Sequence, residues 1–434
     1  MNALECYEFT PLRTEYISHR IHKVAIVSTL YGAAESTAPV ASDLSRRGIE
    51  VIAITSSTAS GVFTKYESSR QEAVDFLYVD WVLCAGGTKD DFRAIRTIQA
   101  SSPNAKVALI EQTPGQANDM VIDAVSKGIF PEIVFTTSLY SARRQFGNLH
   151  DRTFTRREVL IVPLGNPAFD RLQEIKHEKS EVRKILEIAP EEIMIVFAGR
   201  PDFERYESKY SGQRGPANSN TLKIFLRELL AISLQYPDKK ICLVYRPHPM
   251  DKRKRWYPSV LQRSNVWPGN FRSIVSLSHH EQLESVDIAL ASDLVVTIRS
   301  TVADQVAVAA SHKSNEELSD QPLILHLLLK SQRKFIEPTA THDWMPTLRL
   351  GSASYADTPE DIRALLPILL FSQDKQVDAS GMQQFAMAYE YRTKSSAAQR
   401  IYRWLSLWEK TCGSQTDLLS DDPLARYLDA FYLE

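Results

Sequence analysis

Two short stretches of this 434-residue chain carry side chains whose type and order suit the binding of an anion. The first is Arg246-Pro247-His248-Pro249, which ends the apolar run Ile241-Cys242-Leu243-Val244-Tyr245. A proline after each cation holds the backbone in a stiff, extended exit. Arginine can grip a phosphate with paired N–H donors, and histidine can donate to a phosphate or a hydroxyl. The second stretch is Arg299-Ser300-Thr301, between an apolar run at 293–298 and a helical pattern at 301–310. Ser300 suits the N-cap position, and a helix start with unpaired N–H groups is a ready anion site. Arg299 adds charge. The plain alternatives are a turn with an exposed arginine and a simple cap after a buried strand.

Such residues need elements to position them. Short Val/Ile/Leu runs recur at 23–28, 50–55, 79–84, 106–111, 132–137 and 158–163, separated by helix-like stretches at 36–47, 90–100, 117–128 and 139–147. Continuous apolar strands alternating with helices predict a parallel sheet covered on both faces. The pattern recurs with strands at 192–198, 240–245, 274–277, 293–298 and 322–326 and helices at 221–235, 280–290, 301–310 and 359–371. The expectation is an α/β chain with two doubly wound domains, 1–175 and 176–375, and a helical extension over 376–434. The charged segment 165–190 contains the linker.

In open parallel sheets, ligands lie beyond the carboxyl ends of the strands. That rule adds Gly199 and Arg200, which follow the strand at 192–198, to the candidates. In the first half it selects Glu35, Glu111 and Asp119 as carboxylates near strand ends, any of which suits a general base. The polar loop at 200–220 sits at a strand end and is long enough to close over a substrate. The cluster Lys252–Arg255 reads as a solvated loop, and it also suits an anionic acceptor or an acidic membrane surface.

Composition bounds the rest. Hydrophobic residues make up 44% and charged residues 24%, as in globular domains, and the formal net charge of −2 gives no reason to expect nucleic acid. The four cysteines are far apart with no CxxC pair, so no zinc cage is expected and a reducing, cytoplasmic setting fits. No signal-peptide core opens the chain, and no apolar run approaches the ~18 residues of a membrane span. The final stretch, DLLSDDPLARYLDAFYLE, is acidic with aromatics and reads as a short helix or a docking segment.

Four ordered segments carry a resemblance: VPLGNPAFDRL (162–172), YRPHP (245–249), ASDLVVTIRSTVADQVAVA (291–309) and EYRTKSSAAQRIYRWL (390–405). Together they resemble the GT-B fold of nucleotide-sugar glycosyltransferases. More narrowly, they are similar to the capsule-polysaccharide and CDP-glycerol transferases and to the non-hydrolysing UDP-N-acetylglucosamine 2-epimerases. The resemblance implies two Rossmann-like domains facing across a cleft, with C-terminal helices. It implies a transferase for polysaccharide biosynthesis that uses no metal and takes a nucleotide-activated sugar as substrate, with a saccharide or other hydroxyl acceptor. The donor would lie on the second domain and the acceptor on the first.

Carried over, the motifs place Arg246, His248, Ser300 and Thr301 on the donor's phosphates, with Gly199, Arg200, Arg299 and Asp304 around them. Glu35 or Glu111 would deprotonate the acceptor. The chain departs from the pattern at Gln305, where a glutamate is usual and where Asp304 stands beside it. It departs again at LIEQTPGQ (109–116), which replaces the epimerase-type His-Val-Glu-Ala-Gly. The alternatives are therefore a nucleotide-sugar 2-epimerase and a non-catalytic binding or scaffold protein of the same fold.

Overall fold

In the computed structural model, the residues described are 4–9, 21–57, 59–66, 68–71, 75–112, 116–138, 141–142, 159–173, 177–199, 217–248, 257, 261, 267–276, 283–298, 300–311, 320–335, 345–372, 381, 384–385 and 395–410. The chain forms two compact units. Met1–Asp170 with Ala388–Glu434 make the first, and Arg171–Met387 the second.

The first unit carries strands β1 (Leu4–Phe9), β2 (Lys23–Ser28), β3 (Glu50–Ser56), β4 (Ser68–Gln71), β5 (Trp81–Ala85), β6 (Lys106–Ile110), β7 (Ile133–Thr136) and β8 (Leu160–Pro163). Its helices are α1 (Tyr31–Arg46), the short α2 (Ser60–Phe63), α3 (Lys89–Ser101) and α4 (Gln116–Ser126). The sheet order is β4-β1-β3-β2-β5-β6-β7-β8. The ladders from β3 through β8 are parallel, whereas β1 runs antiparallel to both β3 and β4. This antiparallel edge was not expected from the sequence. Leu4–Phe9 is broken by Glu5 and Glu8 and Ser68–Gln71 has no apolar residue, so neither segment gives the signal of a buried parallel strand.

The second unit is β9 (Ile193–Ala198), β10 (Ile241–Arg246), β11 (Phe271–Val275), β12 (Leu294–Thr297), β13 (Leu323–Leu327) and β14 (Ser354–Ala356). Its helices are α5 (Lys179–Ile185), α6 (Ala217–Gln235), α7 (Ser285–Leu290), α8 (Thr301–Ser311), α9 (Pro346–Arg349) and α10 (Pro359–Phe371). All six strands are parallel, in the order β11-β10-β9-β12-β13-β14. The last four residues expected in the loop at 200–220 form the start of α6. The rest of that loop, the Lys252–Arg255 cluster, the segment after Lys410 and most of the helix expected at 139–147 lie outside the described residues.

Successive strand residues face opposite sides, and both sides of each sheet are apolar. In the first unit Val24, Ile26, Trp81 and Leu83 share a core with α1, while Ala25, Val27, Val82 and Cys84 share another with α3 and α4. In the second unit Phe197, Leu243 and Tyr245 pack with α6, and Val196, Cys242 and Val244 pack with Ile288 of α7.

The C-terminal helix α11 (Ala397–Lys410) returns to the first unit. Its Ile401, Trp404, Leu405 and Trp408 lie on one helical face and join the core of α1. Trp408 meets Trp81 edge-on at 6.3 Å. Glu409 accepts from Trp81 Nε1 at 2.7 Å. At the other end of α11, Asp170 accepts from the N–H groups of Ala397 and Ala398, and Arg400 donates to the carbonyls of Leu164 and Ser395.

Candidate functional site

In the second unit, strands proceed from β9 through β10 to β11 on one side, then restart at β12 on the other side of β9. The point of reversal, between the carboxyl ends of β9 and β12, is where an open α/β sheet takes its ligand. Gly199 leaves β9 there, and Ser300 and Thr301 leave β12. Ser300 is half-buried, and its Oγ accepts from Val302 N at 3.3 Å, so it caps α8. Thr301 is exposed, Asp304 is half-buried in the first turn, and Gln305 is buried. The start of α8 thus lies at the point of reversal, with Val302 N bonded to Ser300 Oγ and Ala303 N to Ser300 O at 3.1 Å. Arg200 and Arg299 lie outside the described residues.

Gly199 is required by close approach. Its N–H donates to Arg246 O at 2.8 Å, and a Cβ there would lie 2.7 Å from the Tyr245 hydroxyl. That hydroxyl accepts from Asn218 Nδ2 at 2.7 Å, and the same amide donates to Tyr257 OH at 3.0 Å. All three residues are buried, so the floor below the β9 exit is a fixed polar network.

Arg246 does not present its guanidinium as the sequence suggested. It is 6% exposed. It donates to Ser276 O and Oγ at 3.0 and 2.9 Å, to Leu283 O at 2.8 Å and to Ser285 Oγ at 3.4 Å. Strand alternation explains this: Arg246 lies on the Cys242 and Val244 side of β10, the side packed against Leu283 and Ile288. It ties the β11 exit to the start of α7. His248, two residues on, is half-buried at the same strand end.

His326 on β13 carries no motif, and the only signal for it was a lone histidine inside an apolar strand. It pairs with Thr297 in the ladder, is 1% exposed and shares a 2.9 Å hydrogen bond with Thr347 Oγ1. Burial pulls its imidazole down to about 4, with the Ile298 backbone pulling partly back.

In the first unit the reversal lies between β2 and β5. Here Asp91, fully buried, accepts from Thr29 N at 2.9 Å and from Thr88 N at 2.7 Å. The Thr29 and Thr88 hydroxyls hydrogen-bond each other at 2.8 Å. Burial pushes the Asp91 carboxyl up, while the Thr88 and Thr29 donors pull it back. Thr88 and Asp91 form a capping box for α3, a local pattern (Thr-x-x-Asp) that the sequence does show.

Of the three carboxylates considered as bases, Glu111 is 1% exposed. Its oxygens accept from Thr137 N and Oγ1, both at 2.9 Å, and from Ser141 Oγ at 2.6 Å, so it anchors the β7 exit. Glu35 is half-buried near the start of α1. The side chain of Asp119, on α4, lies outside the described residues. Beside Glu111, Gln112 has a buried Nε2 with no hydrogen-bond partner among the described residues. Its carbonyl accepts from Asn166 Nδ2 at 3.0 Å, and Asn166 Oδ1 accepts from Ser36 Oγ and Ala168 N.

Among the described residues, no group of three or more His, Cys, Asp and Glu is placed to hold a metal ion. Among the same residues, no helix is long and apolar enough to cross a membrane.

No protein-family model and no curated protein matches the chain. Solved structures do. A UDP-N-acetylglucosamine 2-epimerase described as putative, from Listeria monocytogenes, aligns over 93% of this chain and 99% of its own at 14% identity and a TM-score of 0.56. The UDP-GlcNAc 2-epimerase of Methanocaldococcus jannaschii, in complex with UDP-GlcNAc and UDP, aligns over 89% and 99% at 13% identity and a TM-score of 0.55. An alpha,alpha-trehalose 6-phosphate synthase from Burkholderia multivorans aligns over 93% and 100% at 8% identity and a TM-score of 0.51. At such identities the property in common is the fold. The chain has the GT-B fold, built here as two doubly wound Rossmann-like α/β units with additional C-terminal helices.

Proposed function

We propose that this chain moves a group from a nucleotide-activated sugar donor to a hydroxyl acceptor. The fold is consistent with nucleotide-sugar-dependent transfer or epimerase chemistry. The observation that carries the reading is the start of α8 at the strand reversal of the second sheet, capped by Ser300 and flanked by the glycine exit of β9. A helix start of this kind offers N–H groups and a positive dipole end to a diphosphate.

In this reading Ser300 and Thr301, with the Thr301 N–H at the start of α8, hold the diphosphate. Gly199 lets backbone approach it, and His248 donates from the β10 exit. Arg200 and Arg299 add positive charge, Asp304 reaches the nucleoside, and Arg246 positions the loop. The acceptor lies on the first unit, where Glu35 takes the hydroxyl proton. The acceptor oxygen bonds to the sugar carbon as the carbon–oxygen bond to the diphosphate breaks, and that electron pair leaves with the diphosphate. Charge developing there is met by donors already in place.

The test is a thermal-shift panel of UDP, CDP, GDP, ADP, TDP and CMP, followed by turnover assays with the donor so identified. A ligand bound only by the folded state at 100 times its Kd adds ~2.7 kcal/mol of stability. The absence of a shift with every nucleotide would overturn the reading. A second reading, 2-epimerase activity, is favoured by the nature of two of the similar structures. It predicts that UDP-GlcNAc is interconverted with its 2-epimer with no acceptor added.

A further inference from the structure

We propose that the crevice at the strand reversal of the first sheet binds an uncharged, hydroxyl-bearing ligand through the Gln112 amide and turns phosphates away. The proposal deepens the reading above, because it names the chemical class of the acceptor. It stands on two independent observations.

The first is the placement of Asp91. The exits of β2 and β5 are where a doubly wound domain offers backbone N–H groups to a phosphate. Here one N–H from each exit, Thr29 N and Thr88 N, already points at the Asp91 carboxylate, at 2.9 and 2.7 Å. The threonine hydroxyls bond each other, and Thr88 Oγ1 also accepts from Asp91 N at 3.1 Å. The chain's own carboxylate takes the donors that a bound phosphate would need. A second anion at this point would meet like charge in a buried setting, where such repulsion is strong.

The second is Gln112. A Cβ on Gly86, at φ +118°, would lie 3.0 Å from Asp91 Oδ2 and 3.3 Å from Gln112 Nε2. The carboxylate and the amide therefore flank the same glycine backbone. On the other side, a Cβ on Gly32 would lie 3.2 Å from Gln112 Oε1. Gly86 needs glycine for its positive φ, and at both positions the missing Cβ leaves the amide its place. Its Nε2 is buried and has no hydrogen-bond partner among the described residues. Leaving a buried donor unsatisfied costs ~1–3 kcal/mol, and few such groups persist in folded proteins without a use. The residue itself is half-buried, so part of its side chain reaches the surface beside the buried Nε2. Asn166 fixes the Gln112 backbone from below, so the amide is held ready. A hydroxyl or carbonyl oxygen completes it without adding charge beside Asp91.

The experiment follows the Gln112 side-chain amide directly in [15N]glutamine-labelled full-length protein, its signal identified by its loss in Gln112→Ala. The probes are two pairs: glycerol with sn-glycerol 3-phosphate, and N-acetylglucosamine with its 6-phosphate. The expected result is a saturable shift of the Gln112 signal with the neutral members, and at least tenfold weaker response to the phosphates. Asp91→Asn, which keeps the side-chain shape and one acceptor, should narrow that preference. A Gln112 signal that ignores both neutral probes, or that responds equally to the phosphates, overturns the proposal. Nucleotide binding by the Gln112→Ala protein is read alongside. If it persists while the neutral probes fail, this proposal alone falls; if it is absent while neutral probes bind, the donor assignment falls instead.

Discussion

Substituting Ser300 by aspartate separates binding from folding at the second unit's reversal point. Ser300 Oγ accepts from Val302 N at 3.3 Å. Aspartate caps a helix as well as serine does, and a negative charge at a helix start adds ~0.3–1 kcal/mol. The variant should therefore be as stable as the parent or slightly more so. Its carboxylate, however, stands where the donor diphosphate would bind. At a separation of ~5 Å and an effective dielectric of ~20, each pair of unit charges is repelled by about 3 kcal/mol. Since ~1.4 kcal/mol is tenfold in affinity, nucleotide binding should fall by ~100-fold or more. Calorimetric titration with the nucleotide that gives the largest thermal shift measures the effect, and the melting temperature without ligand serves as the control. Affinity within threefold of the parent, with the fold intact, would show that no diphosphate sits at the start of α8.

Three further expectations concern stability. Asp170 accepts from Ala397 N and Ala398 N, and burial, only partly offset by these donors and Arg400, pushes its carboxyl up to about 6. Its stabilising contribution is full below its unfolded value near 3.8 and is lost as the pH rises through about 6; the swing is ~3 kcal/mol, and Asp170→Asn should abolish it. His326 has the opposite sign. Its contribution is present above its unfolded value near 6.5 and is lost as the pH falls towards about 4, again by ~3 kcal/mol, and His326→Gln should flatten that limb. Because Asp170 belongs to the first unit and His326 to the second, hydrogen exchange across pH 4–7 should show acid protecting one unit and loosening the other. Arg246→Ala strips donors from the carbonyls of Ser276 and Leu283, at ~1–3 kcal/mol for each buried acceptor left unpaired; the denaturant midpoint should fall at unchanged slope.

The doubly wound pattern was legible because strands buried on both faces write themselves as apolar runs, and ten of the eleven expected runs overlap their strands closely in place. The expected run at 274–277 meets β11 only at its end, because Phe271–Val275 carries Arg272 and Ser273. Where pairing replaces burial, the signal vanishes, as in β4, whose four residues are Ser, Ser, Arg and Gln. The strand-end rule pointed to Gly199 and Ser300 without any knowledge of strand order. It misjudged the direction of Arg246, because a motif gives spacing and only the ladder gives the side on which a residue emerges. Asp170 and Asn166 depend on partners remote in sequence, Ala397 and Ser36, which no local pattern could supply.

The two strand reversals show one architecture resolved in two ways. Each presents N–H groups from the exits of neighbouring parallel strands or the helix that follows, and that arrangement attracts anions whatever the chain needs. In the first unit the residue three positions into the capping box is Asp91, and its carboxylate takes both exits. In the second the cap is again a neutral hydroxyl, Ser300, and the place three residues on is held by Ala303. A protein that must hold a diphosphate on one unit and an uncharged hydroxyl on the other gains from such a difference. Were both reversals open, donor nucleotide would compete for the acceptor's place. A carboxylate built into one of them costs its burial, visible in the upward push on Asp91, and in exchange makes the two sites chemically unlike. On this argument the residue three positions after each cap, Asp91 in the first unit and Ala303 in the second, would decide which half of the molecule takes a nucleotide.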